Sequence, residues 1–290
     1  MFEGVFTALV TPFSNGVLDE EALRKLIELQ IEAGVHGLVP CGSTGESATL
    51  SHHEHRKVVE LTIEAVNGRV PVIAGTGSNS TAEAVAITRH AKEAGADGAL
   101  LISPYYNKPT QEGLVAHYEA VASQTGLPII VYNIPGRTGS NIAADTQVRL
   151  SEIEGIVGVK EASGDIVQMS EVIANVPDDF AVLSGDDALT LPLMAVGGKG
   201  VISTSSNLVP EEMVGMYNAF QAGDLAEARR IHEGLLPLFD LLFCETNPIP
   251  IKAAQHLRGL IQDEIRLPLL PMTDGNKRRL ESLMKEMKLL

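Results

Sequence analysis

The feature that most constrains the fold is a regular alternation of short aliphatic runs with longer amphipathic stretches. Eight aliphatic runs predict β-strands, at residues 4–10, 37–41, 71–75, 98–103, 128–133, 155–160, 180–184 and 200–204. Eight amphipathic stretches predict helices, near residues 20–33, 51–66, 80–94, 111–124, 144–152, 166–174, 188–196 and 210–221. Strands and helices that alternate in this way indicate a parallel sheet with helical crossovers.

A short motif recurs where predicted helices end and strands begin. Glu-Ala-Gly stands at residues 32–34 and again at 93–95, and a predicted strand begins three residues after each glycine. Glycine readily adopts the left-handed backbone that ends a helix and turns the chain back. Eight such strand–helix units favour an α/β fold of the closed (β/α)8 type, a TIM barrel, over an open sheet.

The remaining residues predict two or three further helices, within AEARRIHEGLLPLFDLLF, PIPIKAAQHLRGL and NKRRLESLMKEMK. We therefore expect two parts: a barrel with the active site at residues 1–223, and a C-terminal helical extension at residues 224–290. The extension is expected to pack on the barrel or to form an oligomer surface.

Composition and charge argue against several classes of protein. The chain has 22 Lys and Arg against 37 Asp and Glu, and its net charge of −15 disfavours nucleic acid and anionic membranes as partners. Its two cysteines, Cys41 and Cys244, are too few for a disulfide framework or a zinc pattern. The N-terminus has an early glutamate and no basic segment before its apolar stretch, so we expect no signal peptide. No apolar run is long enough to span a membrane. We expect a soluble, cytoplasmic protein.

In a (β/α)8 barrel the active site lies at the carboxyl ends of the strands. Polar and glycine-containing segments collect at these ends: CGSTGES (41–47), SPYYNKP (103–109), YNIPGRTG (132–139), GVKEASGD (158–165), LSGDD (183–187) and ISTSSN (202–207). These segments therefore hold the candidates for catalysis and binding.

Lys160 ends an otherwise aliphatic strand and is the main catalytic candidate. A lysine there can simply extend its ammonium into water. The alternative is a partly desolvated amine, whose lowered pKa leaves enough neutral nitrogen to form a Schiff base with a ketone. Strand alternation predicts that Lys160 shares one face with Ile156, Gly158 and Ala162. The small residues on that face would leave room for a substrate.

Four further candidates lie at or just after the ends of two other predicted strands. Tyr132 is either a core tyrosine or a phenol that moves protons during imine formation. Ser43 and Thr44 form either a turn with a helix cap or a cradle for a carboxylate. Arg137 is either a surface arginine or a residue at the barrel mouth whose guanidinium binds a second carboxylate through two hydrogen bonds.

No cofactor and no metal are predicted. CGSTGES lacks the Gly-Lys-Ser/Thr ending of a phosphate-binding loop, and GTGSNS (75–80) lacks the third glycine of a dinucleotide fingerprint. The histidines of SHHEHRK (51–57) match no metalloprotease spacing.

Taken together, GSTGES, SPYYNKP, YNIPGRTG and GVKEASGD resemble the pyruvate-dependent class I aldolases and lyases, and among them the dihydrodipicolinate synthase family. The similarity covers essentially the whole chain, including NPIPIK (247–252). It implies a cofactor-independent lyase that condenses pyruvate with L-aspartate 4-semialdehyde, a step of diaminopimelate and lysine biosynthesis.

The resemblance also implies roles for individual residues. The catalytic residues that it implies are Lys160, Tyr132, Ser43 and Tyr106. The substrate-binding residues that it implies are Thr44, Arg137, Gly185 and Ile202. Lys160 would form the imine with pyruvate. Tyr106 would complete the proton relay from a neighbouring subunit, in a homotetramer built from two dimers.

Regulation by L-lysine is a further implication of the resemblance. Lysine-inhibited members bind the effector at a dimer interface, through residues matched here by Ser47, Ala48, His52, His55, Asn79, Glu83 and Tyr105. This role explains two of the histidines better than a metal does.

One residue departs from the synthase pattern. Ser43 replaces the threonine that is typical of the relay, and serine is also common in the neuraminate lyase branch. One rival is therefore an N-acetylneuraminate lyase or a keto-deoxy-sugar-acid aldolase. Arg137 argues against it, because a polyhydroxylated aldehyde has no carboxylate to place there. A second rival is a non-catalytic barrel that binds a small molecule.

Overall fold

Eight parallel strands form the centre of the molecule in the computed structural model, which describes residues 2–290. The strands are β1 (Gly4–Ala8), β2 (Gly37–Val39), β3 (Ile73–Gly75), β4 (Gly98–Ile102), β5 (Ile129–Asn133), β6 (Ile156–Glu161), β7 (Ala181–Ser184) and β8 (Gly200–Ser203). Each contains a stretch of the predicted aliphatic runs, although several are shorter.

The strands follow the order β2-β1-β8-β7-β6-β5-β4-β3, and every ladder between them is parallel. The two end strands meet through a parallel bridge between Leu38 and Val72. On either side of this bridge, the Leu38 N–H donates to the Pro71 carbonyl at 3.0 Å and the Gly75 N–H donates to the Pro40 carbonyl at 2.9 Å. The sheet is therefore a nearly closed barrel, and the predicted (β/α)8 fold is confirmed.

Helices follow the strands along the chain. Those of the barrel are α1 (Glu20–Glu32), α2 (His52–Val66), α3 (Thr81–Ala94), α4 (Gln111–Thr125), α5 (Ala144–Ser151), α6 (Ile166–Asn175), α7 (Thr190–Ala195) and α8 (Pro210–Gln221). A four-residue helical turn, Pro135–Thr138, follows β5, and a small antiparallel hairpin pairs Phe13–Ser14 with Val17–Leu18. Helix α3 ends at Gly95 with a φ of 98°, which is the left-handed stop that its Glu-Ala-Gly motif predicts.

The barrel has a small inner core and a larger outer core. The inner core holds Phe6, Ala8, Val39, Ile73, Leu100, Ile130, Tyr132, Ala181, Leu183 and Ile202. The outer core lies between the strands and the helices, and it holds the alternate residues, such as Val131, Val159 and Val182. Aliphatic side chains thus cover both faces of the sheet, as a parallel sheet requires.

A bulge in β6 corrects the predicted strand alternation. Ile129 pairs with Ile156, but the next residue, Ile130, pairs with Gly158, so Val157 is an extra residue in the ladder. Ile156 consequently packs in the outer core, whereas Val157 packs against the inner core. The prediction that Ile156 shares the face of Lys160 is therefore wrong, because simple alternation cannot anticipate an extra residue.

The C-terminal region contains three helices, α9 (Leu225–Leu241), α10 (Ile249–Leu257) and α11 (Asp274–Glu286). They share a buried apolar cluster with helix α8, to which Met213, Met216, Leu238, Ile251 and Leu280 contribute. This packing agrees with the predicted helical extension, and the boundary between residues 223 and 224 stays a prediction. Within residues 2–290, no helix combines the length and the apolarity that crossing a membrane requires.

Candidate active site

Lys160 lies inside the barrel, near the carboxyl end of β6. It pairs with Tyr132 of β5 and with Leu183 of β7, both of which belong to the inner core. Its side chain is only 5% exposed, and its Nζ atom lies 4.4 Å from the centre of the Tyr132 ring. Burial lowers the pKa of Lys160 to about 8; Asp187 opposes this shift and Arg137 adds to it. The residue is therefore the desolvated amine of the two alternatives, not a lysine extended into water.

Tyr132 presents a protonated phenol next to this amine. Burial raises the pKa of Tyr132 to about 12, although Arg137 and the Ser43 hydroxyl lower it in part. At neutral pH the phenol thus keeps its proton, and it can donate that proton to an oxygen that develops negative charge beside Lys160.

The loop after β2, residues 41–47, supplies hydroxyl groups to the same pocket. Thr44 is buried, and its Oγ1 accepts a hydrogen bond from Asn247 Nδ2 at 2.9 Å and lies 3.4 Å from Thr204 Oγ1. Ser43 and Thr44 line one pocket together with Tyr132 and Lys160. The predicted carboxylate cradle therefore lies within the pocket that holds the amine.

Arg137 and Gly185 complete the wall of this pocket. Arg137 lies on the helical turn after β5 and donates a hydrogen bond to the Asn247 carbonyl at 2.9 Å. A Cβ atom on Gly185 would lie 2.6 Å from Ala162 Cβ and 3.0 Å from Lys160 Cε. Only glycine leaves the Lys160 side chain its space at this position.

Two of the predicted site residues lie elsewhere. Ile202 is fully buried in the inner core, beside Phe6 in the β1–β8 ladder, and it does not line the pocket. Tyr106 is 90% exposed and has a left-handed φ of 72°. Within this single chain, Tyr106 does not line the pocket of Lys160 and Tyr132.

A groove of about 600 Å³ adjoins the pocket and holds most of the residues implied for lysine binding. Its lining includes Ser47, Ala48, His52, His55, Glu83 and Tyr105, and it extends to Tyr132 and Arg137. Asn79 does not line the groove, but its Nδ2 donates to the Tyr105 carbonyl at 3.2 Å.

The histidines of this groove are engaged with protein groups. His55 Nε2 lies 2.8 Å from the Gly75 carbonyl, and burial lowers the pKa of His55. His52 Nε2 lies 3.4 Å from Glu83 Oε1. Within residues 2–290, no three His, Cys, Asp or Glu side chains are grouped so that they could hold a metal ion.

Three pocket-associated residues escaped the sequence analysis. Asp187 is buried, and its Oδ2 accepts hydrogen bonds from the Ser205 N–H at 2.9 Å and the Ser205 hydroxyl at 2.8 Å. Thr204 and Asn247 line the pocket beside Thr44. Asp187 and Thr204 lie in the polar strand-end segments LSGDD and ISTSSN. Their individual contacts depend on how neighbouring strands align, which these segments do not reveal. Asn247 comes from the C-terminal region, which the barrel pattern does not describe.

Glu161 fixes the backbone next to Lys160 from the opposite side of the strand. This fully buried carboxylate accepts hydrogen bonds from the side chains of Asn133, Gln147 and Gln168 and from the Ser163 N–H. A buried carboxylate with this many donors is held firmly in place. These hydrogen bonds connect the end of β6 to helices α5 and α6, next to the residue that carries the amine.

Comparison with known proteins agrees with this site. The model of the dihydrodipicolinate synthetase family matches residues 1–287. The chain belongs to the dihydrodipicolinate synthetase family. The resemblance drawn from the strand-end segments is thereby confirmed, as is the prediction that the chain is an enzyme of this family.

Members of the dihydrodipicolinate synthetase family match the chain over nearly its whole length. The 4-hydroxy-tetrahydrodipicolinate synthase of Syntrophus aciditrophicus is 58% identical over 285 residues, which are 98% of this chain and 98% of that protein. The dihydrodipicolinate synthase of Aquifex aeolicus superposes with a TM-score of 0.98 at 49% identity and covers 99% of both chains. A structure of the enzyme from Cyanidioschyzon merolae, which has lysine bound, gives a TM-score of 0.97 at 43% identity, over 100% of this chain and 99% of that one.

The negative charge of Asp187 raises the pKa of Lys160, and the variant Asp187→Asn tests this effect. Asp187→Asn keeps the shape and the acceptor oxygen but removes the charge, so we expect the pKa of Lys160 to fall by about one unit. The measurement is the pH dependence of Lys160 acetylation by acetic anhydride, followed by peptide mass spectrometry. Asp186→Asn is the matched control, because its carboxylate caps the turn at Ala188 and is not among the charges that shift the pKa of Lys160. An unchanged midpoint in Asp187→Asn would contradict the assignment.

Proposed function

We propose that this protein condenses pyruvate with L-aspartate 4-semialdehyde through a Schiff base, to give 4-hydroxy-tetrahydrodipicolinate. The observation that carries the proposal is the buried Lys160, whose pKa is lowered to about 8, against the ring of Tyr132. At pH 7 about a tenth of such amines are neutral, whereas an ordinary lysine is almost entirely charged. Membership of the dihydrodipicolinate synthetase family supports the choice of substrates.

The first step is imine formation with pyruvate. The carboxylate of pyruvate binds to the hydroxyl and backbone N–H groups of Ser43 and Thr44, which brings its ketone carbon to Lys160. The neutral amine attacks that carbon, and the oxygen takes one proton from the amine nitrogen and one from Tyr132. The oxygen then leaves as water, and Tyr132 is left as a phenolate. The product is a protonated imine in which the Lys160 nitrogen carries the charge.

The second step forms the carbon–carbon bond. The Tyr132 phenolate takes a proton from the methyl carbon of the imine, which becomes an enamine. The enamine carbon attacks the aldehyde of the semialdehyde, and Tyr132 returns the proton to the aldehyde oxygen, which becomes a hydroxyl. Arg137 binds the carboxylate of this second substrate and orients the aldehyde. The amino group of the same substrate then attacks the imine carbon, closes the ring and releases Lys160.

Borohydride reduction tests the covalent step. With pyruvate present, reduction should add the mass of one reduced pyruvate to the wild-type chain, and peptide mapping should locate it on Lys160. Lys160→Met should abolish the adduct, whereas Lys199→Met, at another lysine next to a strand, should keep it. The kcat/KM for pyruvate should rise about tenfold per pH unit below pH 8 and level off above, because only the neutral amine attacks. A wild-type chain without an adduct would eliminate the mechanism.

Arg137 separates the synthase from a sugar-acid aldolase. Arg137→Ala removes a charged hydrogen bond to the second substrate, so the KM for the semialdehyde should rise by about 10- to 100-fold. Arg149→Ala is the control, because its guanidinium pairs with Glu112 on the outer surface. Steady-state kinetics with the semialdehyde, and parallel assays with N-acetylneuraminate and keto-deoxy sugar acids, provide the measurement. Turnover of a sugar acid alone would favour the rival.

We also propose that L-lysine inhibits the enzyme by binding in the groove next to the pocket. The groove carries a carboxylate, Glu83, that can pair with an ammonium group, and it reaches Tyr132, so an occupant lies near the relay. The family member from Cyanidioschyzon merolae with lysine bound supports this proposal.

Lysine titration tests this regulation. Added L-lysine should lower the rate within the millimolar range, and Glu83→Gln should raise the half-inhibitory concentration about tenfold because it removes one ionic partner. Glu60→Gln, at a carboxylate that pairs with His90 on the helix surface, should leave inhibition unchanged. A rate that stays flat throughout the titration would rule out inhibition by lysine.

We further propose that the enzyme is a cytoplasmic homotetramer in which Tyr106 serves the site of a neighbouring subunit. Tyr106 is 90% exposed and has a left-handed backbone, a conformation that is strained for a residue with a large side chain. Contact with a partner subunit would bury its ring and stabilise this conformation. One structural relative at 45% identity is a monomeric variant, so the assembly is best measured directly by analytical ultracentrifugation.

A further inference from the structure

A buried ion pair joins the C-terminal region to the carboxylate-binding loop. Lys252, on helix α10, places its Nζ 2.5 Å from Glu46 Oε1, and both side chains are almost completely buried. Lys252 also donates to the Thr11 carbonyl at 3.0 Å and lies over the Phe13 ring. Burying two charged groups has a desolvation cost that can exceed the attraction between them. Packing alone therefore does not explain an ion pair at this position.

Glu46 is at the same time a strained part of that loop. Its φ of 53° lies in the left-handed region, which residues with a side chain adopt only under constraint. Its second carboxylate oxygen accepts the Arg266 N–H at 3.0 Å. The carboxylate therefore has partners on both oxygens, and these partners hold the backbone in the strained conformation.

Further hydrogen bonds connect the loop of residues 41–47 to the C-terminal region. The Thr11 hydroxyl donates to the Gly45 carbonyl at 2.7 Å, so Lys252 holds the loop through Glu46 and also through Thr11. At the other end of the same C-terminal segment, Asn247 donates to the Thr44 hydroxyl at 2.9 Å. Residues 247–252 thus brace the loop on both sides of Gly45.

From this geometry we infer that Glu46 and Lys252 are positioning residues, whose buried ion pair holds Ser43 and Thr44 where a substrate carboxylate binds. The inference rests on the proposed function, in which that carboxylate belongs to pyruvate. Neither residue lines the pocket of Lys160, although Glu46 lines part of the adjoining groove. The pair acts on binding through the loop backbone, since a displacement of about 1 Å in a positioning group can cost two orders of magnitude in activity.

Kinetics of three variants test this role: Lys252→Met, Glu46→Gln and the double variant. Each should raise the KM for pyruvate tenfold or more, while kcat at saturating pyruvate stays within about threefold, because Lys160 and Tyr132 are untouched. Lys277→Met is the matched control, since it breaks the Lys277–Asp263 pair of the same C-terminal region. Its KM for pyruvate should equal that of the wild type.

The outcomes separate positioning from simple stabilisation. Lys252→Met leaves a buried carboxylate without its partner and can fail to fold. The double variant removes both charges and keeps the side-chain volume. If Lys252→Met does not fold, the KM of the double variant for pyruvate tests the positioning role. A lower melting temperature with an unchanged KM for pyruvate would overturn the inference. Borohydride trapping of pyruvate on the wild-type chain is run alongside. If pyruvate is not trapped on the wild-type chain, the proposed function is refuted. If pyruvate is trapped but the variants keep the wild-type KM for pyruvate, only the positioning role is refuted.

Discussion

The chemistry proposed for this protein depends on one constraint, the burial of an ammonium group at the end of a barrel strand. Removing Lys160 from water lowers its pKa from 10.5 to about 8, which corresponds to roughly 3 kcal/mol between its two protonation states. The negative charge of Asp187 and the positive charge of Arg137 act on the amine in opposite directions. Their balance leaves an amine that is partly neutral near physiological pH, while its neighbour Tyr132 keeps its proton.

The barrel alone does not complete the site. Asn247 connects the Thr44 hydroxyl to the turn that carries Arg137, and Lys252 holds Glu46 at the far end of the same loop. Both residues come from NPIPIK (247–252), a segment of the C-terminal region that the sequence links to the family but not to the carboxylate-binding loop. Since strand ends of a barrel are open to solvent, a segment that lies across them can both fix the loops and exclude water.

The sequence predicted the architecture and the central residues because both depend on local patterns. Eight aliphatic runs with intervening amphipathic stretches were enough to predict the barrel. A lysine at the end of such a run was enough to single out Lys160 as a candidate, and the structure shows that this lysine is buried. The prediction failed at Ile156, where one extra residue in β6 reverses the facing of the side chains before it. It also missed Asp187 and Asn247, because a carboxylate or an amide in a loop carries no periodic signal that reveals its partner. The catalytic, substrate-binding and lysine-binding roles of the individual residues stay predictions.

By itself, the sequence determined the order of strands and helices, the end of the barrel at which polar groups gather, and the presence of an amine among aliphatic neighbours. These properties follow from periodicity and from the common direction of parallel strands. Only the tertiary structure decided how deeply Lys160 is buried, which charges face it and which C-terminal groups support the loop of Thr44. Desolvation and charge–charge interactions depend on distances between residues far apart in the chain, and those distances exist only once the barrel has closed.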